Sequence, residues 1–563
     1  MEFKLFMQAV EQKIDNFRSE SEIKEWLKNY ARTIEEERRE EFLKQFEKKK
    51  RLSHKEELKA VIDWCKKIEE QEELVLSCCG YEEYGEYYWD NDWVYEYEDP
   101  NGIGVQLKQF YQLAEQCVFD KDYKTAAAIY WNLGSLNFTA DDQSGGDSVD
   151  LSVEELVQEN IVTLDLKRIA LLTLYSTYQV TEMKARPQKL YEYFTREMFR
   201  EIKLDEIMAV GIEPLEQFDT FMELWITYLR GHQERWTSRL LKEAVLYRYG
   251  EDGLLDEAKK SANEHPKLFI EILEKYYDAQ HWEKLYQEGK AALSLMERRM
   301  KIRGCAARLM AAGARALGNE EEVKNACIEA FYSELSAENY LRMITCEGIT
   351  GIEKNNALNY LECACKKVKE RGRKPDIYLR YKSKDTDEYI IEEKEYLIIQ
   401  FFSQNFWAVL SECKKQKEAL GWTGEYIGTG VPLLLFLIYK GSVYPPGMQA
   451  ILADIQSKIQ YQNKYNEPSF ESVAKIWLDQ VKVDEDMEKA ILVYLQKIID
   501  ARVEAIVSGG HRGSYNKAAM LGAALGEAEE SRGILPGKAC RIQTYLSKFP
   551  RHRAFKSEMK EYQ

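Results

Sequence analysis

Two close cysteine pairs, Cys78-Cys79 and Cys363-Ala364-Cys365, are the residues whose type and spacing come nearest to metal chemistry. A structural zinc takes four thiolate or imidazole ligands, and the second two usually come from another pair at short spacing. Neither pair has such a complement. His54, His232, His265, His281, His511 and His552 are scattered, with no Cys-x-His or His-x₃-His beside either pair, so no metal site is expected. Most of the eleven cysteines fall inside helical patterns, as Cys65 does beside Trp64 and Cys327 between Ala326 and Ile328. That is the placement of small core residues in a reducing compartment, not of a disulfide frame.

Phosphate chemistry has one candidate. Arg371-Gly372-Arg373-Lys374-Pro375 is flanked by Lys366, Lys367 and Lys369 on one side and by Arg380, Lys382 and Lys384 on the other, with Tyr378 and Tyr381 interleaved. Cations on phosphates and rings stacked on bases are what single-stranded nucleic acid requires. Arg371, Arg373, Lys374, Tyr378, Arg380 and Lys382 therefore form the candidate nucleic-acid surface. Against it, Asp385, Asp387 and Glu388 follow at once and the chain carries a net charge of −17, which repels a polyanion; a solvated loop is the preferred reading. Gly421, Gly424, Gly428 and Gly430 lack a Gly-Lys-Ser/Thr or G-x-G-x-x-G context and read as a loop between helices, not a nucleotide cradle. Neither G-x-S-x-G nor H-E-x-x-H occurs, so no catalytic residue and no cofactor is assigned. A cysteine–histidine dyad assembled in space from distant residues is the remaining enzymatic reading.

Residues 81–99 hold eight acidic groups, eight aromatics and no base. Flat amphipathic rings set among carboxylates suit a basic protein partner, which makes Tyr84, Tyr88, Trp89, Asp90, Asp92 and Trp93 the candidate partner-binding residues. The competing reading packs the rings internally and leaves the carboxylates in water. Asp90-Asn91-Asp92 lacks the spacing and distal Glu of a calcium loop.

The elements that would position these groups are helical. In 563 residues, 79 Lys and Arg stand against 96 Asp and Glu, 45% of residues are hydrophobic and 12% aromatic, and there are only 11 prolines and 31 glycines. Bulky packing material with few breakers favours long helices and excludes wholesale disorder. Apolar positions at helical spacing, such as Ile23, Trp26, Leu27 and Tyr30, then Leu58, Val61, Ile62, Cys65 and Ile68, predict N-terminal helices, with capping boxes at Ser19-x-x-Glu22 and Ser53-x-x-Glu56. The run from Val431 to Tyr439 is under half the ~20 residues needed to span a bilayer and reads as a buried helix. With no secretory pattern at Met1–Met7, a cytoplasmic protein without membrane contact is expected.

From residue 105, a polar turn, a bulky anchor and then alanines recur. They do so at Asp122–Leu133, His281–Leu293, Gly318–Phe331 and Gly513–Ala524. This predicts an all-α fold, an α-solenoid of degenerate TPR-like helix-turn-helix repeats behind an N-terminal helical segment. The expected divisions are residues 1–80 (charged amphipathic helices), 81–104 (the acidic aromatic segment), 105–370 (repeats), 371–388 (the basic loop) and 389–563 (further repeats).

The stretch Ala316-Leu317-Gly318-Asn319-Glu320 to Ala330-Phe331, with Ser336-Ala337-Glu338-Asn339-Tyr340, resembles the degenerate helical-repeat region of bacterial proteins that carry an N-terminal SWIM zinc finger. So does the ending from His511-Arg512-Gly513-Ser514-Tyr515 to Phe549-Pro550-Arg551-His552-Arg553-Ala554-Phe555. That finger needs Cys-x-Cys followed by Cys-x-His. Cys363-Ala364-Cys365 supplies only the first half, deep within the repeats, so zinc and DNA binding are not carried over. The resemblance implies a helical scaffold without its finger, working beside other subunits. The function expected is a non-catalytic scaffold or adaptor that binds proteins in a bacterial cytoplasmic assembly. The alternatives are an accessory subunit of a nucleic-acid-handling or defence complex, such as a CRISPR-associated one, and an enzyme with a dispersed active site.

Overall fold

Apolar periodicity becomes helix along most of the chain. The computed structural model describes residues 19–35, 54–70, 74–83, 92–371 and 391–563, except 144, 146, 235, 299, 392 and 536, together with the single positions 13, 38, 39 and 42. The chain divides into two units, Met1–Leu254 and Leu255–Gln563.

The first unit opens with helices α1 (Glu20–Arg32) and α2 (His54–Glu70). The Ser19 hydroxyl accepts from the Glu22 N–H and caps α1 as its sequence predicts. Strands β1 (Leu76–Glu83) and β2 (Asp92–Glu98) follow, then α3 (Ile103–Phe119), α4 (Tyr123–Gly134), β3 (Phe138–Asp142) and β4 (Val149–Leu151). The unit continues with α5 (Val153–Gln158), α6 (Leu166–Val180), α7 (Arg186–Tyr193), α8 (Leu204–Val210) and α9 (Phe218–Arg230). Helix α10 (Thr237–Lys260) is broken at Gly250, whose φ of 67° suits glycine, and the boundary between the units follows four residues later.

The chain is mostly helical, in keeping with the all-α expectation, and the first unit adds four strands to it. They form one sheet in the order β2-β1-β3-β4, with β1 antiparallel to β2 and parallel to β3, and β3 antiparallel to β4. The reason lies in a period of two: Leu76, Cys78 and Gly80 are buried while Cys79 and Tyr81 are exposed, and in β2 aromatic and acidic residues alternate. Trp64 of α2 joins helices to sheet, its ring 5.3 Å from Phe110 of α3 and 6.4 Å from Phe138 of β3.

The second unit, among the described residues, is helical throughout. It holds α11 (Pro266–Asp278), α12 (Trp282–Leu295), α13 (Lys301–Ala316), α14 (Glu320–Ser333), α15 (Ala337–Thr345) and α16 (Gly351–Arg371). After these come α17 (Glu393–Phe402), α18 (Phe406–Cys413), α19 (Ile427–Ile438), α20 (Pro446–Lys458) and α21 (Phe470–Gln480). The last four are α22 (Glu485–Ser508), α23 (Tyr515–Ser531), α24 (Gly537–Lys548) and α25 (Arg553–Lys560). Helices α11 to α15 pack each on the next in chain order. Small residues make this close: a Cβ on Gly313 of α13 would stand 2.9 Å from the Tyr286 backbone nitrogen of α12.

The long apolar run is the buried centre of this unit. From Ile427 to Tyr439 every residue except Gly428 is buried, and α18, α20, α22 and α23 pack around α19. Each fully buried aliphatic side chain contributes roughly 1.5–3 kcal/mol. Among the described residues, no helix is long and apolar enough to cross a membrane.

Candidate functional site

A cleft of about 330 Å³ lies in the second unit, lined by Lys440, Glu488, Lys489, Leu492, Arg532 and Ile534. Three helix ends create it. The chain leaves α19 at Tyr439 and turns out to Lys440; α22 begins with Glu485 and carries Glu488, Lys489 and Leu492 on its first two turns; α23 ends at Ser531, with Arg532 as its C-cap.

Arg532 serves both helix ends. Its Nη1 donates to the carbonyl of Ile438, in the last turn of α19, at 3.0 Å, and its Nη2 pairs with the Glu488 carboxylate. A guanidinium at a helix C-terminus meets orphan carbonyls and the negative end of the dipole. Lys440 completes the frame: its Nζ lies 2.5 Å from Glu488 Oε1, and its backbone N–H donates to Ser531 Oγ at 3.1 Å. Burial opposes ionisation of Glu488, but the hydrogen bonds from Arg532 and Lys440 outweigh it and hold the carboxyl below its ordinary range.

Three cations against one carboxylate leave the lining at +2, in a chain of net charge −17. Lys489 is the most available of the three, since its pair with Glu485 is 3.6 Å long between side chains 71% and 89% exposed. Half-buried Leu492 and Ile534 supply apolar wall, and their chain neighbours Val493 and Leu535 are 64% and 85% exposed. None of the six lining side chains is a serine, cysteine, histidine or tyrosine, and Glu488 is held in two ion pairs. The arrangement sets two lysines and an arginine beside aliphatic side chains.

A second polar cluster in the same unit is closed. Arg308 of α13 meets Glu467 in a two-toothed pair at 2.9 and 2.7 Å, and Arg342 of α15 pairs with Glu467 at 3.1 Å and Glu338 at 2.8 Å. These side chains are 3–14% exposed, two positive against two negative. Arg342 also donates to the Gln462 carbonyl and lies 4.2 Å from the centre of the Tyr461 ring. The network fastens the turn between α20 and α21, where Gln460, Tyr465 and Asn466 all have positive φ.

The residues singled out from sequence fall elsewhere. Tyr84, Tyr88, Trp89 and Asp90 lie outside the described residues; Asp92 and Trp93 open β2, opposite Glu83 and Glu82. Further along β2, Tyr95 and Tyr97 are half-buried with rings 6.1 Å apart, while Glu96 and Glu98 are exposed. Burial first, and the Glu159 carboxylate second, push the Tyr97 phenol above its ordinary value. Arg371 is the last residue of α16, and Arg373, Lys374, Tyr378, Arg380 and Lys382 lie outside the described residues. Cys78 and Cys79 take opposite faces of β1, and Cys363 and Cys365 sit about 200° apart around α16. Among the described residues, no group of three or more His, Cys, Asp or Glu is placed to hold a metal.

Sequence reasoning missed the cleft because its cations come from three separate segments. The one local signal was Lys440, a charge placed directly after thirteen largely apolar residues. No family model, no curated protein and no solved structure matches this chain.

Proposed function

We propose that this protein is a non-catalytic helical-repeat scaffold that binds a protein partner in a cytoplasmic assembly, and that the partner presents an acidic, apolar-flanked segment to the cleft between α19, α22 and α23. The observation that carries the reading is a concavity of charge +2 with exposed aliphatic neighbours in a strongly acidic chain. Charge of one sign collected in a recess steers and orients an opposite charge, while the aliphatic rim supplies area to desolvate. The chain-order packing of α11 to α15 supports the repeat architecture, and stacked helix pairs leave extended surfaces for partners. The resemblance to helical repeats of SWIM-finger proteins points the same way.

The test is capture of partners from native lysate, with and without nuclease, by the intact chain and by its Lys440→Glu/Lys489→Glu variant. A stoichiometric protein retained by the native chain and lost with the variant supports the reading. Retention that disappears with nuclease alone, or that ignores the charge reversal, refutes it.

A further inference from the structure

Arg502 is a buried cation to which no described residue presents a carboxylate. It stands late in α22, 7% exposed, with buried Ile499 and Ile506 one turn to either side. The acids nearest to it in the chain, Asp500 and Glu504, lie about 200° away around the helix and pair with Arg541 at 2.7 Å and Lys548 at 3.1 Å. What holds the guanidinium is the segment between α18 and α19, residues 414–426. Nη1 donates to the Ala419 carbonyl at 2.8 Å, and Cζ lies 4.0 Å from the centre of the Trp422 ring. Trp422 is buried and fixed in turn by its Nε1, which donates to the Glu418 carbonyl at 3.2 Å. Gly421, at φ 75°, lets the chain turn so that carbonyl and ring reach the same cation.

These contacts leave one edge of the guanidinium over. Nε, which is buried, and Nη2 donate to no described residue. The two N–H groups point the same way and match the paired oxygens of a carboxylate or a phosphate. The chain itself uses that edge elsewhere: Nε and Nη2 of Arg308 grip Glu467 at 2.9 and 2.7 Å, and those of Arg541 grip Glu529 at 2.8 and 2.5 Å. Burial opposes the charge of all three arginines. The carboxylates outweigh it at Arg308 and Arg541 and raise both, whereas Arg502 is drawn down to about 10. A buried cation is costly until an anion meets it.

We propose that Arg502 and the 414–426 segment form a binding site for a small oxyanion, a phosphate or a carboxylate, held by the Nε and Nη2 edge while the Trp422 ring covers one face of the guanidinium. An exposure of 7% admits an ion or a terminal group, not a folded surface. Lys414, Lys415 and Lys417 against Glu418 and Glu425 give the segment a charge of +1 in a chain of −17, which favours the approach of an anion here.

The experiment titrates the full-length protein with inorganic phosphate and, separately, with acetate, each against chloride at equal ionic strength. The thermal midpoint and the nitrogen-15 signals of the arginine Nε groups are followed. The expected result is a saturable upward shift of about 2 °C or more with at least one anion, together with movement of the Nε signal assigned to Arg502. Saturation by phosphate alone marks a phosphoryl ligand, and saturation by acetate a carboxylate one. General salting effects act on every variant alike, so the difference between the native chain and Arg502→Met carries the thermal result. Arg502→Lys, which keeps the charge and loses the fork, should weaken binding about tenfold or more. The Nε signal is read in the native chain and assigned by its loss in Arg502→Lys, so it decides the matter even where Arg502→Met fails to fold. An Arg502 signal that neither anion moves, or a midpoint shift that is the same in Arg502→Met, would overturn the proposal.

Discussion

The Nζ of Lys458 donates to the carbonyl oxygen of Gly428, the acceptor that Pro432 leaves without a helical donor. Proline has no N–H, so residue 428, four positions earlier in α19, loses its partner inside the most buried helix of the unit. Lys458, at the end of α20, supplies the missing proton and is itself held by Asp454. A proline is thereby accommodated within an apolar core helix.

Lys458→Met should cost about 1 kcal/mol, the loss of a part-buried hydrogen bond. Pro432→Ala restores an N–H at position 432, so the cost of Lys458→Met should shrink in that background. Urea unfolding of the two single variants and the double variant measures the coupling; equal costs in both backgrounds would contradict the assignment.

Glu467 holds two buried arginines at once. Replacing it with Gln leaves Arg308 and Arg342 short of compensation and should destabilise by about 3–5 kcal/mol, read as a fall in the urea midpoint. A loss under about 1 kcal/mol would place the network among weakly contributing surface pairs.

Acid should act partly through Glu488. Its folded carboxyl lies below the ordinary value of 4.5. The stability it contributes is thus complete above that value and lost as pH falls through the folded one. Glu488→Gln, already weakened at pH 7, should lose less additional stability between neutral and about pH 3.5 than the native chain. Parallel acid slopes would contradict this.

Helix spacing at α12 and α13 depends on Gly313. Gly313→Val forces a branched side chain against the Tyr286 backbone and should destabilise by about 1–3 kcal/mol or more. A native thermal midpoint in the variant would contradict the close approach.

What the sequence disclosed was local. Ser19 caps α1, Asn319 in the polar turn after Gly318 caps α14, and the apolar run becomes buried α19. Each depends on neighbours within one or two turns. The sheet stayed hidden because β1 finds β3 across some sixty residues, pairing Leu76 with Ala140, and because Tyr95-Glu96-Tyr97-Glu98 reads as an acidic segment unless its period of two is heeded. The cleft and the Arg308–Glu467 network were illegible for a similar reason. Lys440, Glu488 and Arg532 are each ordinary surface-type residues in sequence, and only the convergence of α19, α22 and α23 gives them a common purpose.

The most direct test of the scaffold reading places the photo-crosslinking residue p-benzoylphenylalanine at position 535, on the exposed neighbour of the cleft, and irradiates the full chain in its native lysate. The account predicts one dominant protein adduct, attached through an acidic segment and abolished by Lys440→Glu/Lys489→Glu. Adducts that are absent, that are nucleic acid, or that persist unchanged in the charge-reversed chain would contradict it.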